Sequence, residues 1–160
     1  MIDHPASKPV DHAGVWVPPP LIYLVLFGLG VLLHQIVPFS IPLALPMHVA
    51  ALLFLGGGLL LLVWSNLLFR RAHTSLVPVK PSKLLVVSGP YRLTRNPMYL
   101  GLLCVYIAVA LWFGVVWALI LVPLVMLAVQ RLAIAKEEPY LEQKFGDSYR
   151  QYRAHVRRWI

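Results

Sequence analysis

Two short polar segments stand out in a chain whose residues are mostly apolar. The first, SGPYRLTRNPMYLG at residues 88–101, contains two arginines, two tyrosines, two prolines and an asparagine; we call it the motif segment. The second, KEEPY at residues 136–140, carries the adjacent carboxylates Glu137 and Glu138, which we call the acidic pair. Carboxylates can pair with a cation or hold a proton, guanidinium and amide groups donate hydrogen bonds, and aromatic rings can face a cation. Joined by the fold, these segments could form a binding or catalytic site.

Other kinds of site are not indicated by the sequence. The six histidines lack metal-ligand spacing and Cys104 is the single cysteine, so no metal centre is predicted. The chain has neither a glycine-rich phosphate loop nor a G-x-S-x-G nucleophile elbow. The chemistry should therefore reside in the motif segment and the acidic pair.

The elements that must position these segments are apolar helices. No Asp, Glu, Lys or Arg occurs between His12 and Phe69, or between Asn96 and Gln130. A membrane-spanning helix needs about 20 mostly apolar residues, so each run can hold two. The chain is 59% hydrophobic and only 12% charged. We predict an all-α integral membrane protein with about four transmembrane helices, forming a single domain over residues 1–160.

The predicted domain consists of apolar spans and of the polar segments that connect or follow them. The predicted spans cover about 19–37, 47–69, 98–112 and 115–132, and the cytoplasmic segments are 70–97 and 133–160.

The segment 133–160 has the pattern of an amphipathic helix. Its apolar residues Leu141, Phe145, Tyr149 and Tyr152 recur at spacings of three and four, which places them on one face. Gly146 and Asp147 interrupt the pattern, and they predict a helix stop followed by an N-cap.

Charge placement gives the orientation. The lysines and arginines lie in the N-terminal tail, in the connector after the second span, or at or beyond the end of the fourth span. Four spans put these three segments on one side, which the positive-inside rule makes the cytoplasm. We predict a multi-pass protein of the bacterial inner membrane with both termini cytoplasmic. The net charge of +8 then points to the membrane surface, and no nucleic-acid partner is predicted.

The same topology brings the two polar segments together. A tight turn at Phe113 and Gly114 makes the third and fourth spans antiparallel, so their cytoplasmic ends should be neighbours. Inside the spans, apart from Arg131 at the cytoplasmic end of the fourth, His34 and His48 are the only ionisable side chains besides Cys104 and the tyrosines. Ion-coupled transporters usually need a carboxylate at mid-membrane, so export is disfavoured.

The order of the motifs resembles a known group of enzymes. The motif segment, a helical hairpin, EEPYL, FG and YRQYR together resemble the isoprenylcysteine carboxyl methyltransferase and phospholipid methyltransferase family of integral membrane enzymes. The resemblance covers residues from about 70 to 155. It implies S-adenosylmethionine as methyl donor, S-adenosylhomocysteine as product, and a lipid-borne acceptor such as an isoprenylcysteine or a phospholipid amine.

The resemblance also implies site residues. Glu138, Asn96 and Arg95 match catalytic positions. The implied cofactor contacts are Lys83, Leu84, Leu85, Val86, Tyr91, Asn96, Pro97, Met98, Tyr99 and Glu137.

The chain departs from the family pattern at two positions, and prenylcysteine-like, phospholipid-amine and small hydrophobic acceptors all remain open. Asn96 stands where the family usually has histidine. The asparagine can still form hydrogen bonds, but it has no titratable group. Ala133 stands where some prenylcysteine enzymes have an arginine for the substrate carboxylate, and Arg131 lies two residues earlier. The alternative is a non-enzymatic membrane scaffold that binds anionic lipid through its basic rim. The sequence does not give the oligomeric state.

Overall fold

Helices form the regular structure of the described residues. The computed structural model describes residues 17–39, 45–72 and 84–160, and within these ranges it contains helices and turns but no strand. The helices are α1 (Pro19–Ile36), α2 (Leu45–Arg71), α3 (Pro97–Phe113), α4 (Val116–Ile120), α5 (Val122–Val129), α6 (Ala135–Phe145) and α7 (Asp147–His155), with a 3-10 turn at Gly89–Arg92 and a π turn at Gln130–Ile134. The all-α prediction is confirmed for the part of the chain that the structure describes.

Prolines and glycines mark where several helices begin and end. Pro19 and Pro97 are the first residues of α1 and α3, where the missing backbone N–H costs no intrahelical hydrogen bond. Gly114 ends α3 with a left-handed φ of 66°, a conformation that glycine adopts without steric penalty. The next N–H, of Val115, donates to the Ala110 carbonyl at 2.9 Å and closes the turn. These ends lie within a residue or two of the predicted ones.

Two helices are long and apolar enough to cross a membrane. They are α1 and α2, with mean hydropathies of 1.7 and 2.1, and most of their residues are not buried inside the protein. An apolar core helix of a soluble protein would be covered by other elements, so this exposure favours contact with lipid. The helix α3 is also apolar but has 17 residues. The number of four spans therefore stays a prediction.

Glycine permits the close packing of α2 against α3. A β-carbon on Gly58 would lie 2.8 Å from the Gly101 carbonyl oxygen, and one on Gly101 would lie 3.0 Å from that of Gly58. Small residues of this kind let two helix backbones approach closely. The ring of His48, near the start of α2, contacts Trp112, near the end of α3. The two helices therefore run antiparallel.

The helix α1 packs against α3, α4 and α5. Its Gly30 lies against the Ala118 backbone, and its Tyr23 hydroxyl donates to the Tyr99 carbonyl at 2.8 Å. At the other end the Trp117 indole donates to the Val37 carbonyl at 2.8 Å. The start of α1, the end of α2 and the start of α3 consequently share one end of the helix group.

The predicted fourth span is not one regular helix. The structure divides residues 115–132 into α4, α5 and the first part of the π turn, and the path continues into α6, which carries the acidic pair. Pro123 explains the first interruption because it has no N–H to donate to the preceding turn.

The predicted stop at Gly146 agrees with the structure, but the predicted cap does not. Gly146 itself occupies the N-cap position of α7, with φ 53° and ψ −126°, and Asp147 is the first helical residue. The backbone reverses at the glycine because this conformation is open to it, which moves the start of α7 one residue towards the N-terminus. The Asp147 carboxylate instead accepts from Arg150 at 2.9 Å.

Candidate functional site

The motif segment and the acidic pair meet at one end of the helix group. The Tyr99 hydroxyl, in the first turn of α3, donates to the Glu137 carboxylate at the start of α6. The Arg95 guanidinium lies 3.2 Å from a carboxylate oxygen of Glu138. Some forty residues separate these partners in sequence, and the antiparallel arrangement predicted for them is what joins them.

The two carboxylates have different surroundings. Glu137 faces the buried phenol of Tyr99, and burial raises its pKa above the ordinary glutamate range. The hydrogen bond from Tyr99 opposes this rise, whereas the neighbouring charge of Glu138 adds to it. A half-buried carboxyl group of this kind is suited to bind a cation, which would replace the lost solvation of its charged form.

Two arginines hold Glu138. Arg158 donates from Nε to one carboxylate oxygen at 2.9 Å and from an Nη to the other at 2.5 Å, and Arg95 lies 3.2 Å from the first. The side chains of Glu138 and Arg95 are only 13% and 11% exposed. The Arg95 guanidinium also approaches the buried Tyr149 hydroxyl at 3.5 Å. Two-point contacts between arginine and carboxylate fix both position and orientation.

The extreme C-terminal residues form part of this site. The segment 156–160 follows α7, and we call it the C-terminal strap. The Arg158 carbonyl accepts from the Asn96 side chain at 2.9 Å and from the Thr94 hydroxyl at 3.0 Å. The Arg157 carbonyl accepts from the Arg95 N–H at 2.9 Å. The strap therefore holds the motif segment by its backbone and the acidic pair by a side chain.

Tyr91 lies beside this junction, in the 3-10 turn. It is 8% exposed, its ring is 5.6 Å from that of Phe69 at the end of α2, and its carbonyl accepts from the Tyr152 hydroxyl at 2.7 Å. Burial raises the pKa of its phenol above the ordinary tyrosine value, so the group is neutral. Gly89 makes this turn possible: it has a φ of 60°, and a β-carbon there would lie 2.8 Å from Leu68.

The residues at the start of α3 are half-buried or buried. Pro97 is fully buried and Met98 is half-buried. Asn96 is half-buried, and its own N–H donates to the Thr94 hydroxyl at 3.2 Å. The free N–H groups of a helix start favour an anion, and here they adjoin the Asn96 amide.

The cofactor contacts predicted upstream of the motif segment are not joined to the acidic pair in the described residues. Lys83 lies outside the described residues. Leu84 is 58% exposed, while Leu85 and Val86 are half-buried. Within the described ranges, no hydrogen bond or ion pair links these leucine and valine residues to the acidic pair. Their expected role in cofactor binding stays a prediction.

Sequence reasoning did not find Thr94, Tyr149, Arg158 or the strap. Thr94 and Tyr149 are each 2% exposed, and both contact the arginines around the acidic pair. The sequence RRW at 157–159 was a possible signal, since two cations and an indole near a helix end are unusual in so apolar a chain.

One polar atom of the site lacks a partner. The Nε of Arg95 is buried and has no hydrogen-bond partner among the described residues. The buried Ser65 side chain, on α2, interacts with the Tyr91 phenol. A buried polar group without a partner costs about 1–3 kcal/mol, which a ligand with acceptor groups would recover. A carboxyl group, an amide and two tyrosine rings are groups that could contact a cationic or aromatic ligand.

Comparison with known proteins places the chain in context. The family model for phospholipid methyltransferase matches residues 46–148, well over half of the chain. A protein of Haemophilus influenzae, described as an uncharacterized protein, is 48% identical over 63 residues, which are 39% of this chain and 100% of that protein. No solved structure matches the chain at a significant level.

Proposed function

The chain belongs to the phospholipid methyltransferase family, and we propose that it transfers a methyl group from S-adenosylmethionine to a lipid-like or membrane-borne acceptor. The acceptor would be an isoprenylcysteine-like molecule or a phospholipid amine, reached at the cytoplasmic face of the membrane. The observation that carries the proposal is the direct contact of the motif segment with the acidic pair, through Tyr99 with Glu137 and Arg95 with Glu138.

The proposed cofactor contacts follow from the chemistry of each group. Glu137 would pair with the ammonium of the cofactor, since a nearby cation would offset the desolvation that raises the pKa of its carboxyl group. Tyr91 and Tyr99 offer flat, neutral rings for the adenine or the sulfonium, and a cation–π contact is worth about 0.5–2 kcal/mol. Asn96, Pro97 and Met98 would line the pocket beside the start of α3. When bound, the cofactor supplies an electrophilic methyl group on its sulfonium sulfur.

The protein's task in this reaction is mainly positioning. Methyl transfer is an in-line displacement, and holding two reactants in line can supply a large part of the rate. Pro90 and Pro97 restrict the backbone of the motif segment, and both are fully buried. If the acceptor is a lipid amine, Glu138 is the group proposed to hold or accept its proton.

A membrane-borne acceptor also needs an apolar surface near the site. A cavity of about 260 Å³ lies between α1 and the segment around the end of α5. Apolar residues line it: Val17, Leu21, Ile22, Val25, Leu26, Ala128 and Leu132. Ile22 adjoins Tyr23, whose hydroxyl binds the carbonyl of Tyr99. This position supports lateral access of an acceptor from the bilayer.

A labelling assay tests the proposal. The purified protein is incubated with S-adenosylmethionine carrying a radiolabelled methyl group and with a total lipid extract, and the extract is then fractionated. We expect the wild type to label one lipid fraction, and the Glu137→Ala variant to leave that fraction unlabelled. Label in no fraction, from protein that remains folded in the same detergent, would contradict the proposed activity.

The scaffold alternative makes a different prediction. It requires binding to anionic vesicles that weakens steeply with salt, together with indifference to a methyl donor. Some of the charges that it would use are engaged with one another in the structure: Arg150 and Arg153 both pair with Glu142. The family match also favours the enzyme.

A further inference from the structure

The C-terminal strap lies beyond the part of the chain that the family model matches. That match ends at residue 148, whereas the groups that hold Asn96 and Glu138 belong to residues 157 and 158. The contacts that the strap makes with the motif segment and the acidic pair therefore lie outside what the family match describes.

The side chain of Arg158 is directed to one partner. Its Nε and one Nη contact the two oxygens of Glu138 at 2.9 and 2.5 Å. The Glu138 side chain is 13% exposed, and without this contact its carboxylate would be held by Arg95 at 3.2 Å. A carboxylate held by two guanidinium groups has a fixed plane, whereas one held at a single point can rotate. Arg158 therefore determines where the oxygens of Glu138 lie.

The strap has other anchors that do not need this guanidinium. The carbonyls of residues 157 and 158 accept three hydrogen bonds from residues 94–96. Trp159 packs against the apolar core, and its indole approaches the Gln130 side chain at 3.5 Å. Because these contacts come from the backbone and from Trp159, replacement of the Arg158 side chain should leave the strap in place.

We propose that Arg158 is a positioning residue for methyl transfer, which acts by fixing the carboxylate of Glu138. The proposal rests on the proposed function and deepens it. The Arg158 carbonyl accepts from Asn96, and the Arg158 side chain holds Glu138. The two effects are separable, since a change of the Arg158 side chain affects Glu138 and leaves the carbonyl that binds Asn96.

Three full-length variants test this role. Arg158→Gln removes the charge, Arg158→Lys keeps the charge but not the two-point geometry, and Arg150→Gln removes an equal charge whose side chain is 61% exposed and pairs with surface carboxylates. For each, we measure kcat and KM for methyl transfer into the lipid fraction, affinity for S-adenosylhomocysteine by calorimetry, and the thermal unfolding midpoint.

The expected pattern is a loss of rate with retained binding. Arg158→Gln should lower kcat by about tenfold or more with an S-adenosylhomocysteine affinity within about threefold of wild type, because an interaction that orients a reacting group acts mainly on the rate. Arg158→Lys should recover part of the rate, and Arg150→Gln should behave as wild type. In a Glu138→Gln background, Arg158→Gln should cause little further loss, since both changes disrupt one unit.

The contrary outcomes are distinct. A wild-type protein that neither binds S-adenosylhomocysteine nor transfers a methyl group would overturn the proposed function, and the positioning role with it. An active wild type with Arg158→Gln equal to Arg150→Gln would overturn only the positioning role. A variant that loses binding, rate and thermal stability together would also overturn it, by showing that Arg158 is a structural anchor.

Discussion

At the scale of the residue, two adjacent carboxylates have different hydrogen-bonding partners. The half-buried Glu137 accepts a hydrogen bond from a phenol, while Glu138 contacts two guanidinium groups. Pairs of carboxyl groups whose surroundings differ can take different roles in one reaction. The arrangement supports cofactor binding by Glu137 and proton handling by Glu138.

Removal of the Glu137 carboxylate should weaken cofactor binding. A hydrogen bond to a charged group is worth about 1.5–3 kcal/mol, so Glu137→Ala should lower the affinity for S-adenosylhomocysteine by about tenfold or more. Titration calorimetry measures the change. Glu142→Ala is the matched control, because Glu142 lies on the same helix and pairs with the surface arginines Arg150 and Arg153. Equal affinities for the two variants would remove Glu137 from the site.

The raised pKa of Glu137 should make cofactor binding sensitive to acid. Protonation neutralises the carboxylate that would pair with the ammonium, so affinity should fall as pH decreases through the pKa of Glu137. Because burial raises that pKa, the fall should begin at a higher pH than for an exposed glutamate. Calorimetry from pH 8 downwards measures the profile, and Glu137→Gln should flatten it. A wild-type profile that matches the Gln variant would exclude this titration.

At the scale of the element, the close packing of α2 on α3 positions Tyr99. Gly101, half a turn after Tyr99 on α3, contacts the Gly58 backbone, and the end of α2 supplies Phe69 to the Tyr91 ring. A shift of one helix against the other would therefore move both tyrosines of the motif segment.

A methyl group at this crossing should destabilise the protein. A β-carbon at Gly58 would lie 2.8 Å from the Gly101 carbonyl oxygen, and backbone atoms must move to accommodate it. Overpacking of this kind costs about 1–3 kcal/mol. Gly57→Ala is the control, because a β-carbon there meets no atom within 4 Å and alanine is the better helix former. Thermal unfolding in detergent should show a lower midpoint for Gly58→Ala alone; equal midpoints would contradict the packing.

Helix positions could be predicted from the sequence, whereas the contacts that complete the site could not. Pro19, Pro97, Gly114 and the pair Arg70–Arg71 mark helix ends by local chemistry, which a sequence records directly. The π turn at 130–134 lies in a run with no local signal for it.

The strap was missed for a related reason. Arg158 reaches Asn96 and Glu138 across 62 and 20 residues, and such contacts depend on the way whole helices pack. Tyr99 was expected to contact the cofactor, and its hydroxyl also donates to Glu137. The sequence predicted that the two segments are neighbours but not which side chains bond.

At the scale of the whole molecule, polar groups are concentrated at one end of an apolar helix group. Tyr91, Asn96 and the acidic pair lie at this end, while Val37, His48, Trp112 and Trp117 lie at the other. In a bilayer this arrangement would place the site at the membrane–water boundary, within reach of a lipid head group.

Labelling of single cysteines should decide the number of spans. In a Cys104→Ala background, Phe113→Cys lies at the end of α3 and His155→Cys near the end of α7, and the two native side chains are exposed. With four spans, a membrane-impermeant maleimide added outside intact cells should label position 113 and not position 155. Labelling of position 113 only after the membrane is broken would show that α3 and α5 enter the bilayer and return without crossing it.

Titration of the folded wild-type protein with S-adenosylhomocysteine is the most direct test of the site formed by the motif segment, the acidic pair and the strap. We expect saturable binding of one molecule per chain, reduced by Glu137→Ala and not by Glu142→Ala. Absence of binding by folded wild-type protein, or binding that both variants retain in full, would contradict the site.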